Sequence, residues 1–98
     1  MENNDIELIE KHIATIYKLH GKALRNKGKN RTVSDARSIL FYILHNKYGI
    51  SYYKLSKIYN RNHSSIIRLV RKCEGLLKYD SDFRLKYNMC SNTINFPR

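Results

Sequence analysis

"GISYYKLSKIYNRNHSSIIRLVRK", residues 49–72, decides the fold. It splits into two apolar-periodic pieces around a polar middle. Residues 52–59 read as a short helix, with Ser51 as its cap and Leu55, Ile58 and Tyr59 facing inward. Residues 63–77 read as a longer one, with Asn62 as its cap and Ile66, Leu69, Val70, Cys73 and Leu77 on one face. Only a few polar residues join them, and the second helix is basic on its outer side. That is the helix-turn-helix arrangement. Leu55 and Tyr59, four apart, and Ile66 and Leu69, three apart, should meet in the angle between the helices, where Ser56 is small enough for close approach. Asn60 stands where a left-handed residue is wanted, and asparagine tolerates that conformation best after glycine. Ile67 should be only partly covered. An ordinary helical hairpin has the same spacing.

Outward from this stretch, the chain reads as an all-α bundle of about five helices. Residues 5–19 carry Ile6, Ile9, Ile13, Ile16 and Tyr17 as one stripe, with Asn4 or Asp5 as cap and Glu7 and Glu10 suited to the positive end of the helix dipole. "HGKALRNKGKNR", residues 20–31, is a basic loop in which Ala23 and Leu24 can make one helical turn. Residues 33–48 predict a helix with Thr32 as cap and Asp35 completing a partial capping box. Its buried face is Val33, Ala36, Ile39, Leu40, Ile43 and Leu44, and Gly49 stops it. A last helix over 80–89 is capped by Asp80 or Ser81 and packs Phe83 and Tyr87, leaving 90–98 as a flexible tail. Ninety-eight residues make one domain with a modest core.

The charge narrows the function. The chain holds 19 basic and 8 acidic residues, a net charge of +11. Between Lys11 and Cys73 stand fifteen Lys and Arg and a single acid, Asp35. A basic centre with acidic ends points to a polyanion, above all nucleic acid. The cations are spread over several segments rather than one amphipathic face, which argues against a membrane surface. No apolar run approaches the ~20 residues of a membrane span, and no secretory signal is visible. A cytoplasmic protein with reduced Cys73 and Cys90 is the expectation. His12, His20, His45 and His63 lack metal-ligand spacing, and adjacent His63 and Ser64 diverge on a helix. No catalytic residue, metal, cofactor or small-molecule substrate is expected.

The outer face of the helix over 63–77 carries Ser64, Ser65, Arg68, Arg71 and Lys72, with His63 in its first turn. A recognition helix contacts base edges mainly with its N-terminal residues, and its N-terminus attracts phosphate. Small hydroxyls let that end approach a groove floor, and Arg68 can reach a guanine edge or the backbone.

Four stretches now resemble a known family, the C-terminal helix-turn-helix domain of DnaA, the bacterial replication initiator. "RTVSDARSILFYI", residues 31–43, is similar to its basic-loop exit and following helix, with Ala36, Arg37 and Tyr42 in register. "GISYYKLSKIY" is like its short helix after a Ser. "RNHSSIIRLVRK", residues 61–72, resembles the signature Arg-Asp-His-(Ser/Thr)-(Ser/Thr)-Val. "IELIEKHIATIYKL", residues 6–19, fits its connecting helix, so the resemblance spans roughly residues 6–89. It implies that Arg61, Asn62, His63, Ser64 and Ser65 enter the major groove of duplex DNA. It implies that the basic loop over about 25–31, with Lys27, Lys29 and Arg31, enters the adjacent minor groove, and that Arg37, Tyr52, Tyr53 and Lys54 hold the backbone.

The chain departs from the family pattern in places. Asn62 replaces Asp, so bidentate pairing with adenine becomes available where a carboxylate only accepts. Ser64 and Ser65 stand where Thr is frequent, Tyr52-Tyr53 replaces Leu-Pro, and the turn before His63 reads one residue shorter. The initiator's ATPase motif, G-x-x-x-x-G-K-[ST], is absent. The expectation is a DNA-binding domain alone, either a standalone protein of phage or mobile-element type or an excised fragment, and the Met1 start with its acidic leader favours the standalone chain. Its expected role is replication initiation or its regulation. The alternatives are an interaction protein or transcription regulator that competes with or binds a host initiator, and an RNA binder using Tyr48, Tyr52 and Tyr53.

Overall fold

The computed structural model describes residues 3–20, 22–25 and 30–93. Among these residues five α-helices and a 3-10 turn follow one another: α1 (Asn3–Ile16), the turn Ala23–Arg25, α2 (Arg31–Tyr42) widening into a π-helical turn (Ile43–Lys47), α3 (Tyr52–Tyr59), α4 (His63–Tyr79) and α5 (Ser81–Thr93). The all-α reading stands. Among the described residues no helix is long and apolar enough to cross a membrane.

The core is built around α2. Ala36, Ile39, Leu40, Phe41, Ile43 and Leu44 are all fully buried. Against them lie the Ile6, Ile9 and Ile13 stripe of α1, Leu24 of the 3-10 turn, Leu55 and Tyr59 of α3, and Ile66, Val70 and Cys73 of α4. Each buried Leu or Ile contributes about 1.5–3 kcal/mol of transfer free energy, which fixes how the helix-turn-helix sits on the bundle. Val33, expected in that face, is only half-buried. Phe41, Arg37 and Ser38, not expected there, are buried, because the face α2 presents is wider than one stripe. Ser38 satisfies its hydroxyl by donating to the Asp35 carbonyl at 2.7 Å.

Several boundaries differ from the sequence reading, each for a local reason. Asn4 and Asp5 lie inside α1 rather than capping it, since the helix already includes Asn3. α1 ends before Leu19 because Lys18 turns left-handed (φ 57°). The Leu19 N–H then returns to the Ala14 carbonyl at 2.7 Å and that of Lys18 to Thr15 at 3.1 Å, a Schellman closure without glycine. α2 is capped by Asn30, whose side chain accepts from the Thr32 N–H at 2.8 Å, so Thr32 is helical and the capping box with Asp35 is not formed. The C-terminal end of this helix is under-wound: the Tyr48 N–H reaches back to the Ile43 carbonyl at 3.3 Å, five residues away. Gly49, at φ 71°, then ends it as expected.

The sequence spacing predicts that α5 stops at Met89, with Cys90 starting a tail. It runs to Thr93, and Cys90 is fully buried, because its thiol is one of the apolar groups that face the core from α5. Residues 94–98 lie outside the described residues. Asp80 caps α5, accepting from the Phe83 N–H at 3.0 Å. Arg84 donates to the Leu77 and Lys78 carbonyls at 2.9 and 3.1 Å, placing a cation at the negative end of α4.

Candidate nucleic-acid interface

The turn of the helix-turn-helix is built as its residues suggest. Ser51 accepts from the Lys54 N–H at 3.1 Å and starts α3. Asn60 is left-handed (φ 50°, ψ 52°) and ends it. The Arg61 N–H turns back to the Ser56 carbonyl at 3.0 Å. Asn62 then takes the extended conformation of an N-cap, but its side chain makes no capping hydrogen bond. The first-turn N–H groups of α4 at His63, Ser64 and Ser65 precede the first intrahelical bond, which joins Ile66 N–H to the Asn62 carbonyl at 3.2 Å. A seventeen-residue helix thus begins with its positive end open and the Asn62 amide available to something outside the fold.

The side chains around this end are mostly outward. Asn62, His63 and Ser64 are exposed, and Ser65 and Arg61 are half-buried. Ile66, directly behind them, is fully buried and pins the turn to the core. Arg68 is exposed, with its guanidinium 3.5 Å from the Ser65 hydroxyl, one turn back. Tyr53 is 64% exposed beside exposed Lys54, and the Lys57 ammonium lies 5.3 Å from the Tyr53 ring. Tyr52 is half-buried. Its ring stacks on His45 at 3.9 Å and meets the His63 ring edge-on at 5.9 Å.

Other predicted site residues sit elsewhere. Arg31 is exposed in the first turn of α2 and borders a shallow pocket with Asp35, Asp80 and Asp82. Lys27 and Lys29 lie outside the described residues. Arg37, expected on the DNA backbone, is instead 4% exposed, and its Nε donates to the Leu24 carbonyl at 3.1 Å. Burial, with the positive charge of Arg61 nearby, lowers its pKa. Arg37 therefore holds the 3-10 turn to α2 from inside, because its position follows Ala36 on the face that α2 buries. Lys72 is half-buried and engaged: its ammonium lies 2.9 Å from Asp35 and donates to the Ser34 hydroxyl at 2.8 Å. Its pairing with the single acid of the basic block was the signal that could have marked it as structural.

A second polar cluster supports the site from behind. The Glu10 carboxylate, in a residue 4% exposed, accepts from Arg25 Nε at 3.1 Å and from the Tyr59 hydroxyl at 2.6 Å. It thereby joins α1 and the entrance of the basic segment to the end of α3. Burial, then the Glu10 charge, pushes the Tyr59 hydroxyl pKa up. His45 belongs beside the site as well. It sits on the π-helical turn, where a sequence carries no mark that five-residue hydrogen bonding will aim it at Tyr52.

Among the described residues no group of three His, Cys, Asp or Glu is arranged to hold a metal. In comparison with known families, the model described as bacterial dnaA protein helix-turn-helix matches residues 6–73. That span starts on α1 and ends inside α4, taking in α2, the turn and the open N-terminus of α4. It covers more than two thirds of the chain. This chain belongs to the bacterial DnaA helix-turn-helix family, and its helix-turn-helix is a DNA-binding one.

Proposed function

We propose that this protein reads duplex DNA sequence-selectively, with the first turn of α4 in the major groove and the basic segment 25–31 in the adjacent minor groove. Its place is in replication initiation or the regulation of it. One observation carries the reading: α4 opens with an uncapped N-terminus whose leading residues, Asn62, His63 and Ser64, are exposed while Ile66 behind them is buried. A structural cap would have spent the Asn62 side chain on that turn. Asn62, His63, Ser64 and Ser65 are the base-reading group, with the first-turn N–H groups taking a phosphate. Arg61, Arg68, Tyr53 and Lys54 hold flanking phosphates, and Lys27, Lys29 and Arg31 supply the minor-groove arm. Arg37 and Lys72 are not part of this set, since both are occupied within the fold.

The test is selection of bound duplexes from a random pool. One motif should be recovered, and its symmetry gives the stoichiometry. Recovery of no motif, with equal affinity for selected and random duplexes, contradicts the proposal.

A further inference from the structure

His45, Tyr52 and His63 come from three different elements and form one aromatic cluster. His45 lies on the π-helical turn at the end of α2, Tyr52 is the first residue of α3, and His63 is the first residue of α4. His45 Nδ1 lies 2.8 Å from the Ile50 carbonyl, so that nitrogen carries its proton and the ring plane is fixed. Tyr52 stacks on this ring at 3.9 Å and 12° between planes. The Tyr52 ring also meets His63 at 5.9 Å and 87°, an edge-to-face contact. The Tyr52 hydroxyl plays no part in either ring contact.

The geometry points to Tyr52 and His45 as positioning residues for His63: the stack sets the orientation of the His63 ring at the leading edge of α4, and Tyr52 acts on DNA recognition through that ring rather than through a phosphate contact of its hydroxyl. This rests on His63 being a DNA-reading residue. The His63 ring otherwise has a free rotation about its side-chain bonds at an exposed helix start, and a preset rotamer removes that entropy cost from binding. Aromatic contacts of this type bias a rotamer by roughly three- to tenfold in population.

The test is a double-mutant cycle on the full chain, measured against one selected duplex and one scrambled duplex. Y52L should weaken the selected duplex roughly three- to tenfold while leaving the scrambled one nearly unchanged. Y52F keeps the ring and should bind as the parent does. H63A should weaken the selected duplex, and Y52L/H63A should be no weaker than H63A alone. H45A should fall in the same direction as Y52L. If Y52F is as weak as Y52L, the hydroxyl is the contact and the proposal is overturned. Additive losses from Y52L and H63A overturn it as well. A second readout in the free protein separates this from the parent reading: the carbon-bound imidazole proton resonances of His63 should move in Y52L and hold in Y52F. If those resonances hold in Y52L, the stack does not orient the ring. If they move while H63A leaves the selected duplex unaffected, the stack exists but His63 does not read DNA, and the recognition role of Tyr52 fails with it.

Discussion

Tyr59→Phe isolates one bond in the polar cluster behind the helix-turn-helix. The Tyr59 hydroxyl donates at 2.6 Å to Glu10, whose residue is 4% exposed, and Tyr59 itself is 8% exposed. Removing the hydroxyl leaves no cavity larger than one oxygen. The ring keeps its edge contact with Phe41 at 4.9 Å and its place 5.2 Å from the Arg25 guanidinium. What is lost is a hydrogen bond to a charged acceptor that water cannot easily reach. Such bonds are worth about 1.5–3 kcal/mol, so the expected destabilisation is about 2 kcal/mol. For a domain of this size that lowers Tm by roughly 8–16 °C. Urea unfolding followed by circular dichroism at pH 7 should show a lower midpoint with an unchanged slope. Glu10→Gln combined with Tyr59→Phe should cost less than the sum of the two singles, since both act on one carboxylate. A loss below about 0.5 kcal/mol for Tyr59→Phe, within the range of an ordinary surface substitution, would refute the claim that this cluster ties α1 to α3.

Stability should fall at alkaline pH. The Cys73 and Cys90 thiols, fully buried, are pushed up to about 12 by burial, from an ordinary value of 9.0. The folded chain therefore keeps protons that the unfolded chain releases. The contribution is intact below about pH 9 and is lost towards pH 12, at about 1.4 kcal/mol per unit for each thiol. The raised Tyr59 hydroxyl adds to this above about pH 10. A urea midpoint that stays flat from pH 8.5 to 11 counts against it. DNA affinity should fall with salt at a log–log slope of about −0.9 per phosphate contact, and Lys54→Ala should make that slope shallower by about one contact. Titrations across salt concentrations measure both, and an unchanged slope in Lys54→Ala removes Lys54 from the backbone set. Asn62→Asp should stabilise the fold by about 0.3–1 kcal/mol, because a carboxylate then faces the open positive end of α4. The same change should alter the selected motif at one base pair, from a preference an amide serves to one a carboxylate serves. Selection with the variant reads this directly, and an identical motif at equal affinity places Asn62 off the bases.

Much of the helix-turn-helix was legible because local chemistry and packing agree there. Ser51, Asn60 and Asn62 each fall at a position their side chain or backbone preference suits, and Leu55, Ile66 and Val70 repeat at helical spacing with nothing competing. The ends of α1 and α2 were less legible. Lys18 adopts a left-handed conformation that lysine does not favour, imposed by the closure onto Ala14 and Thr15. Thr32 and Asn30 are both good caps two residues apart, and only the chain path selects Asn30. Cys90 reads as tail because α5 past Met89 has no apolar run, yet one thiol meets the core. Within the site, the family resemblance puts Arg37 with Lys54 on the backbone and helical spacing puts Lys72 on the outer face of α4, and neither signal shows which cations the fold itself engages. Arg37 follows Ala36 on a helix buried on most sides, and Lys72 has Asp35 within 2.9 Å across the α2–α4 packing. His45 was invisible because its role depends on a π-helical turn.

The central claim is that the leading edge of α4 reads sequence. The ratio of affinities for the selected duplex and a random duplex, measured for the parent and for H63A at one salt concentration, tests it most directly. The account predicts that H63A lowers binding to the selected duplex by about 1–3 kcal/mol, roughly five- to 150-fold, and changes random-duplex binding little, so that the ratio collapses. An unchanged ratio, with both affinities falling together or neither falling, would contradict it.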